Sequence, residues 1–87
     1  MGIVYILRSL VNGRFYIGST NDLERRFGEH NLGKSKATKF TAPFELVFRQ
    51  EYDSLNKARR VENKLKKFKS KIILEKIIND SFITLGP

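Results

Sequence analysis

Five side chains in this sequence carry groups suited to phosphate chemistry: the phenols of Tyr5 and Tyr16, the guanidinium of Arg26, the imidazole of His30 and the carboxylate of Glu62. A guanidinium fork matches the geometry of phosphate oxygens. A single carboxylate in a basic setting suits Mg²⁺, which takes one or two carboxylates and completes its octahedron with water and substrate phosphate. A phenol, with a reference pKa of about 10, becomes a useful base only where neighbouring cations favour the phenolate. Each residue also has an ordinary reading. Glu62 could pair with Arg59 or Lys66 at helical spacing, and Arg26 with Asp22 or Glu29, for about 0.2–0.5 kcal/mol. His30 alone would more often be a partly buried structural histidine, and the two tyrosines strand aromatics.

These groups come from separate segments, so the elements must bring them together. Residues 3–9 and 14–19 are rich in β-branched and aromatic side chains. Asn12-Gly13 between them is the strongest local signal for a tight hairpin. With those two as the turn, Ser9 lies opposite Tyr16, Leu7 opposite Gly18 and Tyr5 opposite Thr20. Alternation then places Tyr5, Leu7, Ser9, Tyr16 and Gly18 on one face, and Val4, Ile6, Phe15 and Ile17 on the other. The second set reads as core. The first, with two tyrosines and a bare glycine, reads as a poor core and a plausible site. In this register the tyrosines are offset by about 13 Å along the sheet. A slip of two or four residues would keep them on one face and shorten that gap.

Asn21 reads as a helix N-cap, with Glu24 completing a capping box and Asp22 adding charge to the first turn. The helix spans residues 22–32 and stops at Gly33. Arg26 and His30, four apart, lie beside its Leu23 and Phe27 stripe and should project toward the sheet or its rim. Residues 33–43 form a basic loop carrying Lys34, Lys36 and Lys39. Residues 44–52 alternate as a strand, with Phe44, Leu46, Phe48 and Gln50 facing one way. Ser54 caps a second helix over 55–68, whose apolar stripe is Leu55, Ala58, Val61, Leu65 and Phe68. Glu62 sits beside that stripe. Ser70 caps a third helix over 71–79, and 81–87 is a tail. The order β-β-α-β-α-α reads as one α+β domain spanning 1–87 with its core over about 3–80, a small three-stranded antiparallel sheet flanked by helices. Whether helices cover both faces is left open.

The chain has 87 residues, 40% of them hydrophobic, enough for one modest core. It has no cysteine, which excludes disulfides, thiolate metal sites and thiol nucleophiles. No apolar run approaches the roughly 20 residues of a membrane span, and no signal segment stands out, so a cytoplasmic location is expected. The net charge of +8 favours a polyanionic partner, nucleic acid before membrane. Charge is concentrated at residues 34–39 and again at 57–71, where Glu62 is the lone acid.

Taken jointly, the constellation resembles the GIY-YIG nuclease family. Ile3-Val4-Tyr5 stand in place of the first signature triplet, and Tyr16-Ile17-Gly18 match the second letter for letter. The separation of Tyr5 from Tyr16 fits, as does the run Asp22-Leu23-Glu24-Arg25-Arg26 followed by His30. Glu62, on the helix after the third strand, fits the family's metal-binding glutamate. Gly2 lies one residue too early for the first triplet, and Ile3 takes its place. The likeness covers about residues 3–80 and is to short, single-domain members; Asn79 is left outside the site.

This resemblance implies metal-dependent hydrolysis of phosphodiester bonds in DNA, ahead of RNA. Tyr5, Tyr16, Arg26 and His30 form its catalytic set, and Glu62 holds a single Mg²⁺ or Mn²⁺. Tyr16 would take the proton of the attacking water and His30 would share it. Arg26 would meet charge on the non-bridging oxygens, and Tyr5 would orient the phosphate or the metal's water. Lys34, Lys36, Lys39, Arg59 and Lys66 are the expected nucleic-acid contacts. Recognition is then electrostatic or shape-based, and branched, flapped or damaged DNA is the substrate by analogy. Two rivals stand beside it: a nucleic-acid-binding module on the same scaffold with little or no catalysis, and a protein-interaction subunit, for which nothing specific is indicated.

Overall fold

Ile3 to Leu7 form an unbroken apolar run, the pattern of a strand covered on both faces. In the computed structural model, which describes residues 1–33, 40–68 and 71–80, this run is the middle strand. The elements are β1 (Gly2–Ser9), β2 (Phe15–Thr20), α1 (Leu23–Asn31), β3 (Phe44–Tyr52), α2 (Leu55–Phe68) and α3 (Lys71–Asp80). The sheet order is β2-β1-β3, with both outer strands antiparallel to β1. Gly2 to Leu7 are all buried. On one face, Val4, Ile6, Ile17 and Phe48 pack against Ala58, Val61 and Leu65 of α2 and Ile77 of α3. On the other, Ile3, Tyr5, Leu7 and Phe44 pack against Leu23 of α1, with Phe27 and Tyr16 beside them. The face expected to be a poor core is therefore a second core, because α1 covers it. Gly2 lets α2 come close: a Cβ there would stand 2.6 Å from the Leu55 Cα and 2.7 Å from the Ser54 carbonyl oxygen.

The hairpin register differs by two residues from a tight Asn12-Gly13 turn. Tyr5 pairs with Gly18, Leu7 with Tyr16 and Arg8 with Phe15. The loop from Leu10 to Gly13 is longer because local side chains hold it. The Ser9 hydroxyl accepts the amides of Val11 and Asn12 at 3.1 and 3.2 Å and donates to the Thr41 carbonyl at 2.6 Å. The Asn12 side chain accepts the Arg14 amide at 3.0 Å. Gly13 keeps its turn role, with φ +75. Tyr5 and Tyr16 are consequently offset by two residues rather than four.

Three other expectations are corrected. In β3 the register shifts, so that Ile6 pairs with Phe48 but Leu7 with Leu46. This bulge turns Phe44 and Phe48 into opposite cores instead of one. At the start of α1 the cap is Asp22, not Asn21: its carboxylate accepts the Arg25 amide at 3.2 Å, while Thr20 Oγ1 holds the Asp22 amide at 3.1 Å. Glu24 is thus one position too early for a capping box. Phe68, expected in the α2 stripe, is exposed. Ser54 does cap α2, accepting the Lys57 amide at 3.1 Å, and Gly33 ends α1 with φ +72. Lys34, Lys36, Lys39, Ser70 and the 81–87 tail lie outside the described residues.

Candidate active site at the edge of β2

The site begins with an absence of atoms. Gly18 faces Tyr5 across β1 and β2, and the phenol lies over the bare glycine. A Cβ at Gly18 would stand 2.3 Å from the Tyr5 hydroxyl oxygen and 2.4 Å from Cζ. Glycine at this point lets the phenol cross β2, the outer strand, toward its free edge. The body of Tyr5 is buried in the α1-side core, at 1% exposure.

α1 brings the next two groups. His30 is fully buried, and its Nε2 lies 3.1 Å from the Tyr5 hydroxyl; the tautomer sets which of the two donates. The His30 ring packs on Tyr16, centroids 4.8 Å apart, and against Phe44 at 6.1 Å. Arg26, one turn earlier, lies close enough to the Tyr5 phenol to favour its ionised form, and donates to Glu29 at 3.2 Å. Glu29 also takes a hydrogen bond from Arg25, at 3.0 Å. Of the two helical partners expected for Arg26, Asp22 and Glu29, the structure pairs it with Glu29 at i,i+3.

The carboxylate arrives from the opposite side of the sheet. Glu62 is on α2, which packs on the other core, but it reaches the β2 edge beside Ser19. The Ser19 hydroxyl donates to Glu62 Oε1, and Lys66 Nζ lies 2.6 Å from Oε2. The same ammonium stands 6.0 Å from the Tyr16 ring centroid. The Glu62 side chain is only 16% exposed. Ser19 was missed in the sequence. Its signal is that it shares a strand face with Ile17, where a hydroxyl turned toward a core needs a partner.

The electrostatics follow from this packing. The Tyr5 phenol is pushed up to about 12, chiefly by burial and next by Tyr16; Arg26 opposes the rise and Glu62 adds to it. Tyr5 is therefore a neutral phenol at physiological pH. His30 is pushed down to about 4, first by burial and then by Arg26, against Glu29. It is neutral at pH 7. The linkage has a definite sign. Between pH 6.5 and 4 the unfolded chain carries a proton on His30 that the folded chain does not. Stability from this group is complete above 6.5, declines as pH falls, and levels off below 4, for a loss of about 3 kcal/mol. His30 is the sole histidine, so its Cε1–H resonance can be followed alone by NMR. It is expected to stay unshifted through pH 6.5 and to move near 4; a midpoint at 6–7 would contradict its burial.

Of the remaining expected contacts, Lys66 belongs to the site and Arg59 lines a neighbouring cleft. Asn79 lines a separate cleft with Arg8 and Phe15.

A three-stranded antiparallel sheet with α1 on one face and α2 and α3 on the other makes this an α+β domain, with phenols, a guanidinium and a carboxylate at one sheet edge. The profile of the GIY-YIG catalytic domain matches residues 1–77, and the chain belongs to that family. Its relatives are UPF0213 proteins. One from Vibrio parahaemolyticus is 45% identical over 60 residues, 68% of this chain and 56% of its own length. One from Serratia liquefaciens is 37% identical over 83 residues, covering 94% of this chain and 79% of that protein. A solution NMR structure of a UPF0213 protein from Bacillus halodurans matches with a TM-score of 0.56 and 34% identity, over 91% of this chain and 84% of that one. Family membership implies nuclease-like chemistry in general. No helix among the described residues is long and apolar enough to cross a membrane.

Proposed function

We propose that this chain is a metal-dependent endonuclease that hydrolyses phosphodiester bonds in DNA, without strong sequence preference. The observation that carries the reading is the meeting of the Tyr5 phenol, Arg26 and Glu62 at the β2 edge, although they come from three elements on two faces of the sheet. Burial separates the two phenols. Tyr5 is inside and stays protonated, so it positions His30 by hydrogen bonding, with Arg26 beside it. Tyr16 is only partly buried and has the Lys66 ammonium 6.0 Å from its ring; in its phenolate form it takes the proton of the attacking water, acting as general base. Arg26 meets the charge that grows on the non-bridging oxygens. Neutral His30 packs on Tyr16 and fixes its ring.

The residues fit a hard divalent cation. Glu62 is a shielded carboxylate whose orientation is set by Ser19, the outer support that metal ligands usually have. One carboxylate, with water and substrate phosphate completing the shell, is a donor set that Mg²⁺ or Mn²⁺ accepts. When bound, such an ion supplies charge neutralisation at the phosphate and at the departing oxygen. Lys66 is paired with the carboxylate that would hold the ion. Lys66→Met, which keeps the stem and removes the charge, is expected to tighten Mn²⁺ binding about fivefold, the effect of a partly screened pair near 1 kcal/mol. Electron paramagnetic resonance titration measures this; equal affinities would show that Lys66 does not compete.

The test of function is a panel of branched, single-stranded and duplex DNA with Mg²⁺ or Mn²⁺ and with chelator. Metal-dependent strand scission supports the proposal. One observation favours the second reading, a nucleic-acid-binding module that does not cut: both Glu62 oxygens already have protein partners. Salt-sensitive binding with no scission under any divalent ion selects it.

A further inference from the structure

Beyond the site, along the same edge, β2 runs into a cleft of about 390 Å³ between the first turns of α1 and α2. Ser19, Thr20 and Asn21 form its floor, and Arg25, Arg26 and Arg59 stand on its walls. Three guanidiniums from two helices thus surround one opening, and no carboxylate is among the lining residues. Arg25 and Arg26 share Glu29, and Arg25 also approaches Asp22 at 3.7 Å. Arg59 makes no side-chain hydrogen bond or ion pair among the described residues. A cation at a cleft wall with no such partner among the described residues is available to an anion from outside. Both helices begin at this cleft, so their positive ends add to the same field.

The cleft is continuous with the candidate active site, because Ser19 and Arg26 belong to both. Ser19 holds Glu62, and Arg26 stands beside Tyr5. From Gly18 to Thr20 the strand advances about 6–7 Å, comparable to one nucleotide step along an extended backbone. We propose that this cleft seats a second phosphate of the bound strand, the neighbour of the one being hydrolysed, with Arg59 as its main ligand and Arg25 beside it. The proposal rests on the nuclease reading for the identity of the first phosphate. It adds a direction: the strand lies along the β2 edge from the Tyr5–Glu62 cluster toward the α2 N-terminus. Such a seat gives a sequence-independent grip, since every nucleotide carries the same phosphate.

The test is a binding experiment free of cleavage. A short single-stranded oligonucleotide is made as a series in which one phosphate at a time is replaced by an uncharged methylphosphonate. Affinity for wild type, Arg59→Ala and Arg59→Lys is read by fluorescence anisotropy without divalent metal. In wild type, neutralising one internal position is expected to weaken binding about 5–10-fold, the scale of one charge-assisted phosphate contact. Arg59→Ala should be insensitive at that position alone and should reduce the slope of log K against log salt by about 0.7, the loss of one phosphate contact on a single strand. Arg59→Lys should keep the slope and lose part of the position effect, since an ammonium keeps the charge but not the fork. If Arg59→Ala lowers sensitivity equally at every position, or if no binding is measurable, the seat does not exist. Position-specific coupling in a protein that never cuts would leave the seat standing and remove the nuclease reading. Glu62-dependent cutting without the coupling would do the reverse.

Discussion

Gly18→Ala is expected to destabilise the domain by about 2 kcal/mol, within the 1–3 kcal/mol of an overpacked core. For a domain of this size that lowers Tm by roughly 10 °C, taking 4–8 °C per kcal/mol. The new methyl would fall 2.3 Å from the Tyr5 hydroxyl oxygen and 2.4 Å from Cζ, so the phenol must move. It cannot move freely. Its ring is buried, its hydroxyl meets His30, and Arg26 stands beside it. Displacing it opens those contacts, so activity should fall together with stability. Thermal and urea unfolding give the first effect. A double-mutant cycle isolates the cause: in a Tyr5→Leu background, where the colliding ring end is gone, Gly18→Ala should cost little. The same penalty in both backgrounds would mean that Tyr5 is not what the glycine accommodates.

Glu62→Gln is expected to lower metal-dependent cleavage by about 10²–10³-fold or more, the scale for removing one group directed at developing charge. The change preserves shape and the acceptor for Ser19 but removes the anion. Folding should survive it. The Lys66 partner is 47% exposed, and losing such a pair costs no more than about 1 kcal/mol. Oligonucleotide affinity without metal should stay the same or rise, because a negative charge has been removed from a basic surface. Cleavage at the wild-type rate by the glutamine variant, or undiminished cleavage in chelator, would remove the metal from the reading. Loss of cleavage together with loss of the folded circular dichroism spectrum would call for Glu62→Asp, which keeps the charge and shortens the reach.

Much of this was written in local pattern. β3 and α2 lie where alternation and the helical stripe place them, since both signals are local and strong: aromatic and β-branched residues over 44–52, and Ala58, Val61 and Leu65 at helical spacing after a Ser54 cap. The residue types of the site were also legible, and the second signature triplet drew attention to Gly18. The hairpin register was not, because side-chain hydrogen bonds from Ser9 and Asn12 compete with the two-residue turn that Asn-Gly favours. Nor was the β3 bulge, which changes the face of a phenylalanine without changing its surroundings in sequence.

The sequence by itself determined which elements form and which chemical groups they carry, because helix stripes, caps and strand alternation depend on near neighbours. Only the tertiary structure decided that Glu62 and Arg26, on helices packed against opposite faces of the sheet, meet at one edge. The physical reason is the missing side chain at Gly18 on an outer strand: it lets the Tyr5 phenol cross β2 from one core, while Ser19, one residue on and facing the other way, holds the carboxylate from the other.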